Sequence, residues 1–456
     1  MSTNKTVAII GAGPVGLAAA AHVLERGMTP IMLEAGPEAA HAVRQWQHVQ
    51  LFSPWRYNID RAAARLLADT GWNSPDPDVY PTGGELIEHY LDPLATKTKL
   101  SGVIRADNRV TAISRRGVDK AKSRGRERAP FEIRYRNGKG EETLHADAVI
   151  DISGTWFSPN PAGSNGLPAL GEQAFADRIA YAMPDVRGSR RSRYAGKTVA
   201  VLGAGHSAVG TLIDLVALAK DVPATQAIWL LRGNDPARAF GGGSSDQLAA
   251  RGELGLAFAA LVRSGQIRVE AEFGVAQITE ADGRLRISTG SSPDRHVIAD
   301  ELIVATGFRP DLSFLREVRL QLDPAIEAPV ALAPLIDPNE HSCGTVRPHG
   351  ARELAQAHEP GFYLAGMKSY GRAPTFLMMT GYEQVRSIAA DIAGDKEAAA
   401  RVELELPETG VCTRGGVESI AALPGCCGGP APARVDSCCA DDANAKAAGK
   451  PGCGCA

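Results

Sequence analysis

No cysteine precedes Cys343 in this chain of 456 residues, and seven of the eight cysteines lie between Cys412 and Cys455. That distribution excludes a disulfide framework stapling the fold, and a cluster confined to one end points to thiol chemistry or soft-metal binding. Charge of one sign is also lacking: 49 Lys and Arg face 52 Asp and Glu, a formal net charge of −3. Nucleic-acid binders carry a basic excess, so that class is not expected. No apolar run approaches the ~18 residues of a spanning helix, so no membrane partner is expected. The opening MSTNKTVAIIGAG leaves no room for a charged and then apolar leader before the first strand, and the expected location is cytoplasmic. What is present is ordinary globular usage, 44% hydrophobic and 22% charged, in a chain long enough to bury a large core.

The apolar run at 5–11, the Ala-rich stretch 14–25 and the run 30–34 predict a strand, a helix and a strand, about the length of a βαβ unit. Residues 40–100 read as helical and irregular, with an aromatic patch from Trp46 to Trp55. The stretch 103–150 alternates and carries the turn signal Asn137-Gly138, which predicts hairpins before the apolar AVIDISG. A second βαβ unit is expected from Lys197 to Gly233, short strands with a turn at Asp282-Gly283 over 266–300, a strand in 300–310, another in 361–367 and a closing helix over 375–394. Beyond about residue 407 Gly, Ala, Pro and Cys dominate, a composition unable to bury enough apolar surface to offset its ordering entropy. Residues 408–456 are therefore expected to be a flexible tail.

Two glycine motifs carry the chemistry. Gly11-Ala-Gly13-Pro-Val-Gly16 follows the first strand and opens a helix. In such a motif one glycine makes the turn, one lets backbone approach a pyrophosphate, and one lets helix and strand pack closely. The helix N-terminus adds free N–H groups and partial positive charge. Glu34 ends the next strand, where an acid accepts ribose hydroxyls. The second motif, Gly203-Ala-Gly205-His206-Ser207-Ala208, has Ala at a third position that tolerates it. Its following strand ends in Arg232 rather than an acid, and an arginine would pair with a 2′-phosphate, which favours NADPH over NADH. Two nucleotide sites imply hydride transfer from a nicotinamide to a second carrier, for which FAD is the expected occupant of the first site. Thr306 and Gly307, after an apolar strand and before Arg309-Pro310, fit a chain crossing between nucleotide domains.

With GAGPVG at 11–16, GAGHSA at 203–208 and ATGFRP at 305–310, the chain resembles the two-dinucleotide-binding flavoproteins, and within them the flavin-containing monooxygenase-like group, over roughly residues 5–400. The resemblance implies an α/β fold with two Rossmann-like dinucleotide-binding domains, the FAD domain discontinuous and the NADPH domain inserted. The corresponding spans are 1–165 and 306–407 for FAD, 190–305 for NADPH and 408–456 for the Cys-rich tail. Disulfide reductases of this fold carry a Cys pair after the first helix or in the NADPH domain, and this chain has none there. They also usually carry Gly-Asp after the last strand, where this chain has Gly366-Met367. Of the linking motif in the monooxygenases, the stretch Phe175 to Tyr181 keeps only the Phe. The chemistry implied is reduction of FAD by NADPH, addition of O₂ to give a flavin hydroperoxide, and attack of a lone-pair substrate on its distal oxygen. Trp46, Gln50 and Asn58 are the candidate flavin-lining residues, with Trp46 equally readable as core, and His206 is either a nicotinamide neighbour or a helix-start residue.

The tail holds Cys412, Cys426-Cys427, Cys438-Cys439 and Cys453-Gly-Cys455. Vicinal cysteines suit zinc poorly, whereas thiolates select soft ions, trivalent arsenic and antimony among them. With Gln50 to Trp55 (QLFSPW) and LPETGVC at 406–412, the chain resembles the flavin monooxygenases of bacterial arsenic and antimony resistance. That resemblance implies a trivalent metalloid substrate with O₂ as co-substrate. Cys343 and Cys412 are the candidates for holding the metalloid near the flavin; Cys343 reads equally as a small buried hydrophobe, and the tail as a thiol reservoir or a nonspecific Cu(I) or Zn²⁺ chelator. The alternatives are a generic S- or N-oxygenase, a metalloid or disulfide reductase served by the tail, and a sequestration protein retaining flavin as structure.

Overall fold

The structure, a computed structural model, describes residues 4–241, 249–290, 292, 294–338, 349–373 and 376–404. Strand β1 (Thr6–Ile10) runs through Gly11–Gly13 into helix α1 (Pro14–Glu25) and returns as β2 (Thr29–Leu33). Proline in the first turn of α1 presets its φ and gives up an N–H that the helix would leave unpaired. The alanines at 18–21 are fully buried and let α1 lie close to its neighbours. Helix α2 (Arg61–Ala68) is capped by Asp60, whose side chain accepts the Ala63 N–H.

The chain then forms β3 (Ile104–Arg105), an antiparallel meander of β4 (Arg109–Arg115), β5 (Phe131–Asn137) and β6 (Gly140–Ala146), and β7 (Ala148–Asp151). Next come β8 (Ile179–Tyr181), β9 (Thr198–Leu202), helix α3 (His206–Asp221), β10 (Gln226–Leu230), helix α4 (Ala249–Arg263) and β11 (Arg268–Glu270). A second antiparallel meander, β12 (Val275–Ala281), β13 (Arg284–Thr289) and β14 (His296–Ala299), leads to β15 (Glu301–Val304). The β12–β13 turn puts Asp282 and Gly283 at φ of 51° and 74°, the paired left-handed geometry of a two-residue hairpin. Finally β16 (Phe362–Leu364) precedes helix α5 (Met378–Ala393).

Two five-stranded parallel sheets result, in the orders β16-β7-β1-β2-β3 and β11-β10-β9-β15-β8. The central strands β1, β9 and β15 are almost wholly buried, as expected where both faces of a parallel sheet are covered. The first sheet is assembled from distant chain segments: β16, beyond residue 360, pairs with β7, which pairs with β1. Strands of the second sheet lie between them in sequence. The two crossing segments run side by side, with Pro159 bridged to Phe308 and the Asn160 Nδ2 donating to the Thr306 carbonyl at 3.0 Å. Among the described residues no helix is long and apolar enough to cross a membrane.

Candidate functional site: two glycine cradles at the strand ends

The first cradle forms where β1 meets α1. Gly11 has a φ of 104°, and a Cβ there would come within 2.7 Å of the Ile152 carbonyl oxygen. A Cβ on Gly16 would lie 2.1 Å from the Gly11 carbonyl oxygen. These two glycines are demanded by packing. Gly13 is different, because nothing lies within 4 Å of the place its Cβ would occupy. Helix α1 begins there without a side-chain cap, so its first N–H groups look onto that open space.

Glu34, just past β2, is buried and grips the loop. Its Oε2 accepts the Ala12 N–H at 2.8 Å and its Oε1 the Gly36 N–H at 2.7 Å. Each oxygen keeps a further lone pair for a ligand hydroxyl. Beside the end of β2 opens a cavity of about 510 Å³, lined in part by Ala35, Asp107, Arg109 and Asn137. Gly366, at a φ of 64°, closes the opposite side of the cradle; a Cβ there would strike Ile152 at 2.9 Å.

The second cradle repeats the arrangement. A Cβ on Gly203, at a φ of 136°, would come within 2.3 Å of the Ala305 carbonyl oxygen, whereas Gly205 faces open space and starts α3 without a side-chain cap. Ala208 is fully buried in the first turn of α3, and Ser207 precedes it with its carbonyl bonded to Thr211. Arg232 stands exposed just past β10, its Nη1 donating to the Ser164 carbonyl at 3.2 Å. An open glycine at an uncapped helix start, repeated in both halves, suits the pyrophosphate of a dinucleotide, and the residues present fit FAD at the first and NADPH at the second.

The loop from Trp46 to Asn58 joins the two halves. Phe52 meets the ring of His206, the first residue of α3, at 5.1 Å between centroids. Asn58 is fully buried and its amide is spent within the loop: Nδ2 donates to the carbonyls of Ser53 at 2.7 Å and Pro54 at 3.0 Å, and Oδ1 accepts from the Ser53 hydroxyl at 2.7 Å. A ligand contact would use only its second Oδ1 lone pair or displace one of these bonds. Trp46 packs on the large core, and a Cβ on Gly83 would come within 2.8 Å of its ring. Gln50 is exposed, with its backbone bridged to Thr82. Thr306 and Gly307 lie on the crossing segment, where Thr306 Oγ1 donates to the Asn160 carbonyl at 3.3 Å and Gly307 has a φ of 87°. Cys343, Cys412, Cys426, Cys427, Cys438, Cys439, Cys453 and Cys455 lie outside the described residues. Among the described residues no cluster of His, Cys, Asp or Glu is arranged to hold a metal ion.

Sequence reasoning missed the buried ion pair beneath the first cradle. Lys368, fully buried, donates from Nζ to Asp151 Oδ2 at 2.7 Å and to the Ser153 hydroxyl at 2.9 Å. Its ammonium sits 4.2 Å from the centre of the Phe314 ring. Asp151 ends β7 and Lys368 follows β16, so the pair locks adjacent strand ends against the loop that receives Gly11. The only sequence signal was a charged residue at the end of an apolar strand.

Parallel sheets with two dinucleotide cradles define an α/β oxidoreductase of the two-nucleotide type. Residues 8–333 match the pattern of the pyridine nucleotide-disulphide oxidoreductases, and the chain belongs to that family. With it come the class of enzyme, a flavin oxidoreductase, and its cofactors, FAD and NADPH. The chain is 24% identical to flavin-containing monooxygenase FMO GS-OX-like 2 of Arabidopsis thaliana over 243 residues, 48% of this chain and 49% of that protein. It is 29% identical to flavin-containing monooxygenase 1 of Rattus norvegicus over 233 residues, 50% of this chain and 41% of that one. The chain thus spans about half the length of the curated relatives it matches. In fold it is similar to the bacillithiol disulfide reductase Bdr (YpdA) of Bacillus cereus, with a TM-score of 0.63 and 20% identity over 86% of this chain and 99% of that one.

Proposed function

We propose that the chain is an NADPH- and FAD-dependent monooxygenase that oxidises trivalent arsenic or antimony compounds. The observation that carries the oxygenase half is the distribution of sulfur: no cysteine precedes Cys343, so neither glycine cradle nor the elements built around it hold a thiol pair to take electrons from a flavin. The named relatives, both flavin-containing monooxygenases that match about half of the chain, support the same reading. FAD supplies the two-electron chemistry with NADPH and with dioxygen. The overall reaction balances with NADPH and one proton giving two electrons to O₂, one oxygen atom passing to the substrate and the other leaving as water.

The protein's own residues hold and orient. The N–H groups at the starts of α1 and α3 receive the two pyrophosphates, Glu34 receives the ribose hydroxyls of FAD, and Arg232 receives the 2′-phosphate of NADPH. The metalloid half rests on the vicinal cysteines of the tail and on the softness of their preferred ligands. Glu403 and Leu404, the last described residues, line a cavity of about 500 Å³ together with Tyr57, Asp60 and Tyr382. The Tyr382 hydroxyl donates to the Asn58 carbonyl at 2.8 Å, so Leu404 lies on the same cavity as the end of the loop that joins the nucleotide halves. The eight residues from Leu404 to Cys412 can span at most about 29 Å.

The place of Leu404 and the sulfur-rich sequence that follows it favour a second reading, a reductase whose tail dithiols exchange electrons with the flavin. Oxygen separates the two. NADPH oxidation stimulated by antimonite or arsenite should require O₂ and consume it in equal amount. Stimulation that persists without oxygen identifies the reductase, and no stimulation by either metalloid leaves an oxygenase of other lone-pair substrates.

A further inference from the structure

Two aromatic rings bridge the crevice above the first cradle. In the first sheet β1 lies between β7 and β2, and a ligand on the glycine loop occupies the space outside the carboxyl ends of these strands. His41 stands eight residues past the end of β2, and Phe157 six past the end of β7. Their rings meet with 5.7 Å between centroids and 15° between planes. A stack of this kind joins the two flanks of the crevice.

Each ring is placed by backbone that is itself tied to the cradle. On the β2 side, Gly36 is fixed by Glu34 on its N–H and by the Asp107 N–H, which donates to its carbonyl at 2.8 Å. The imidazole lies directly on it, and a Cβ on Gly36 would come within 2.3 Å of the His41 Cγ. Ala40, just before, holds a φ of 58° in the left-handed region that is costly for alanine, and its N–H donates to the Ala12 carbonyl at 2.9 Å. Strain of this sort persists where its surroundings enforce it, and ligand clamps are one place it collects. On the β7 side, the Ile152 carbonyl borders Gly11. The Ser158 N–H donates to the Thr155 carbonyl at 2.9 Å, and the Ser158 carbonyl accepts the Arg309 N–H at 3.0 Å. Trp156 stacks on Phe308 at 5.1 Å, whereas Phe157 stacks on His41 and stays 56% exposed. The contacts close a circuit: Gly11 to Ile152, along the chain to Phe157, across to His41, and through Ala40 back to Ala12.

We propose that His41 and Phe157 form a clasp over bound FAD. The rings part to admit the dinucleotide and close across it, so these two residues set how long FAD stays. The clasp rests on FAD as the occupant of the first cradle and is indifferent to whether O₂ or a thiol later accepts the electrons. The stack is the link of the circuit suited to open. The links on either side of it are backbone hydrogen bonds and covalent chain, whereas parting the rings gives up only an aromatic contact beside water. The second cradle lies outside the circuit.

Release of FAD from diluted full-length holoenzyme, followed by the rise in flavin fluorescence, tests it. His41→Ala and Phe157→Ala should each speed release roughly three- to tenfold, the span of one aromatic pair expressed in the off-rate. Both remove the same contact, so the double variant should release no faster than either single one. Phe157→Tyr keeps the ring and should release at the wild-type rate. Two further readouts separate a clasp from a loosened fold. The FAD-free melting temperature of Phe157→Ala should stay within about 2 °C of wild type, as for an exposed side chain. The dissociation constant of its holoenzyme for NADP⁺ should not move. Release at the wild-type rate in Phe157→Ala, single-variant effects that multiply in the double variant, or Phe157→Tyr as fast as Phe157→Ala overturns the clasp and leaves the FAD site standing. A lower FAD-free melting temperature in step with faster release assigns the effect to the fold and likewise overturns it. Wild-type protein that takes up no FAD overturns the reading of the first cradle and the clasp together.

Discussion

The Glu34 carboxylate accepts the Ala12 N–H at 2.8 Å, so the acid that ends the second strand holds the glycine loop that follows the first. With the Gly36 N–H on its other oxygen, it ties the glycine loop to the turn after β2. Glu34→Gln turns one acceptor into a donor facing a backbone N–H. The expected result is a loss of about 1–3 kcal/mol in stability and weaker FAD retention, read by chemical denaturation and by flavin content after gel filtration.

The glycines of that loop should separate by role. Gly16→Ala places a methyl against the Gly11 carbonyl oxygen and should yield unstable, flavin-free protein. Gly13→Ala has open space and a permitted φ of −75°, so its melting temperature without flavin should match wild type while FAD affinity falls. Equal damage to stability from both variants would remove the distinction.

Lys368 and Asp151 pair at 2.7 Å with both side chains wholly buried. Removing one partner strands the other charge, and Lys368→Ala should cost about 3–5 kcal/mol by denaturant unfolding. Lys368→Met with Asp151→Asn should recover much of that loss, because no net charge then remains buried.

Glu359 receives Arg115 at 2.7 Å and Arg126 at 2.6 Å, all three side chains nearly inaccessible. Burial alone would raise its pKa; the hydrogen bonds from Arg126 and Arg115 and from the Arg319 N–H outweigh burial and hold it below the ordinary value of 4.5. A depressed carboxyl stabilises the fold above the unfolded pKa and loses that contribution as pH falls through the folded one. Unfolding free energy should therefore drop between about pH 5 and pH 3, and Glu359→Gln should flatten that part of the profile.

Arg232 stands exposed at the end of β10. Arg232→Ala should raise the KM for NADPH about tenfold and leave the KM for NADH within about twofold, since only the former offers a 2′-phosphate. Steady-state kinetics with both dinucleotides decides it.

Much of the architecture was legible before folding was considered. The helix expected over 14–25 is α1 to the residue, and the hairpin turn at Asp282-Gly283 is where the left-handed φ values occur. Each of these depends on residues a few positions apart, where period and glycine placement act directly. Asn58 shows the limit: its residue type suggested a polar ligand contact, yet its amide closes the loop on Ser53 and Pro54.

Local sequence alone thus determined both glycine cradles, the strand–helix–strand units around them and the confinement of sulfur to the C-terminal end. Tertiary structure decided which distant charges meet: Lys368 with Asp151 across 217 residues and Arg115 with Glu359 across 244. These pairings exist because the chain leaves the first sheet, builds the second and returns, with β16 coming back beside β7. Charge type can be read from a sequence, but the burial that makes an unpaired charge costly appears only when the sheets close around it.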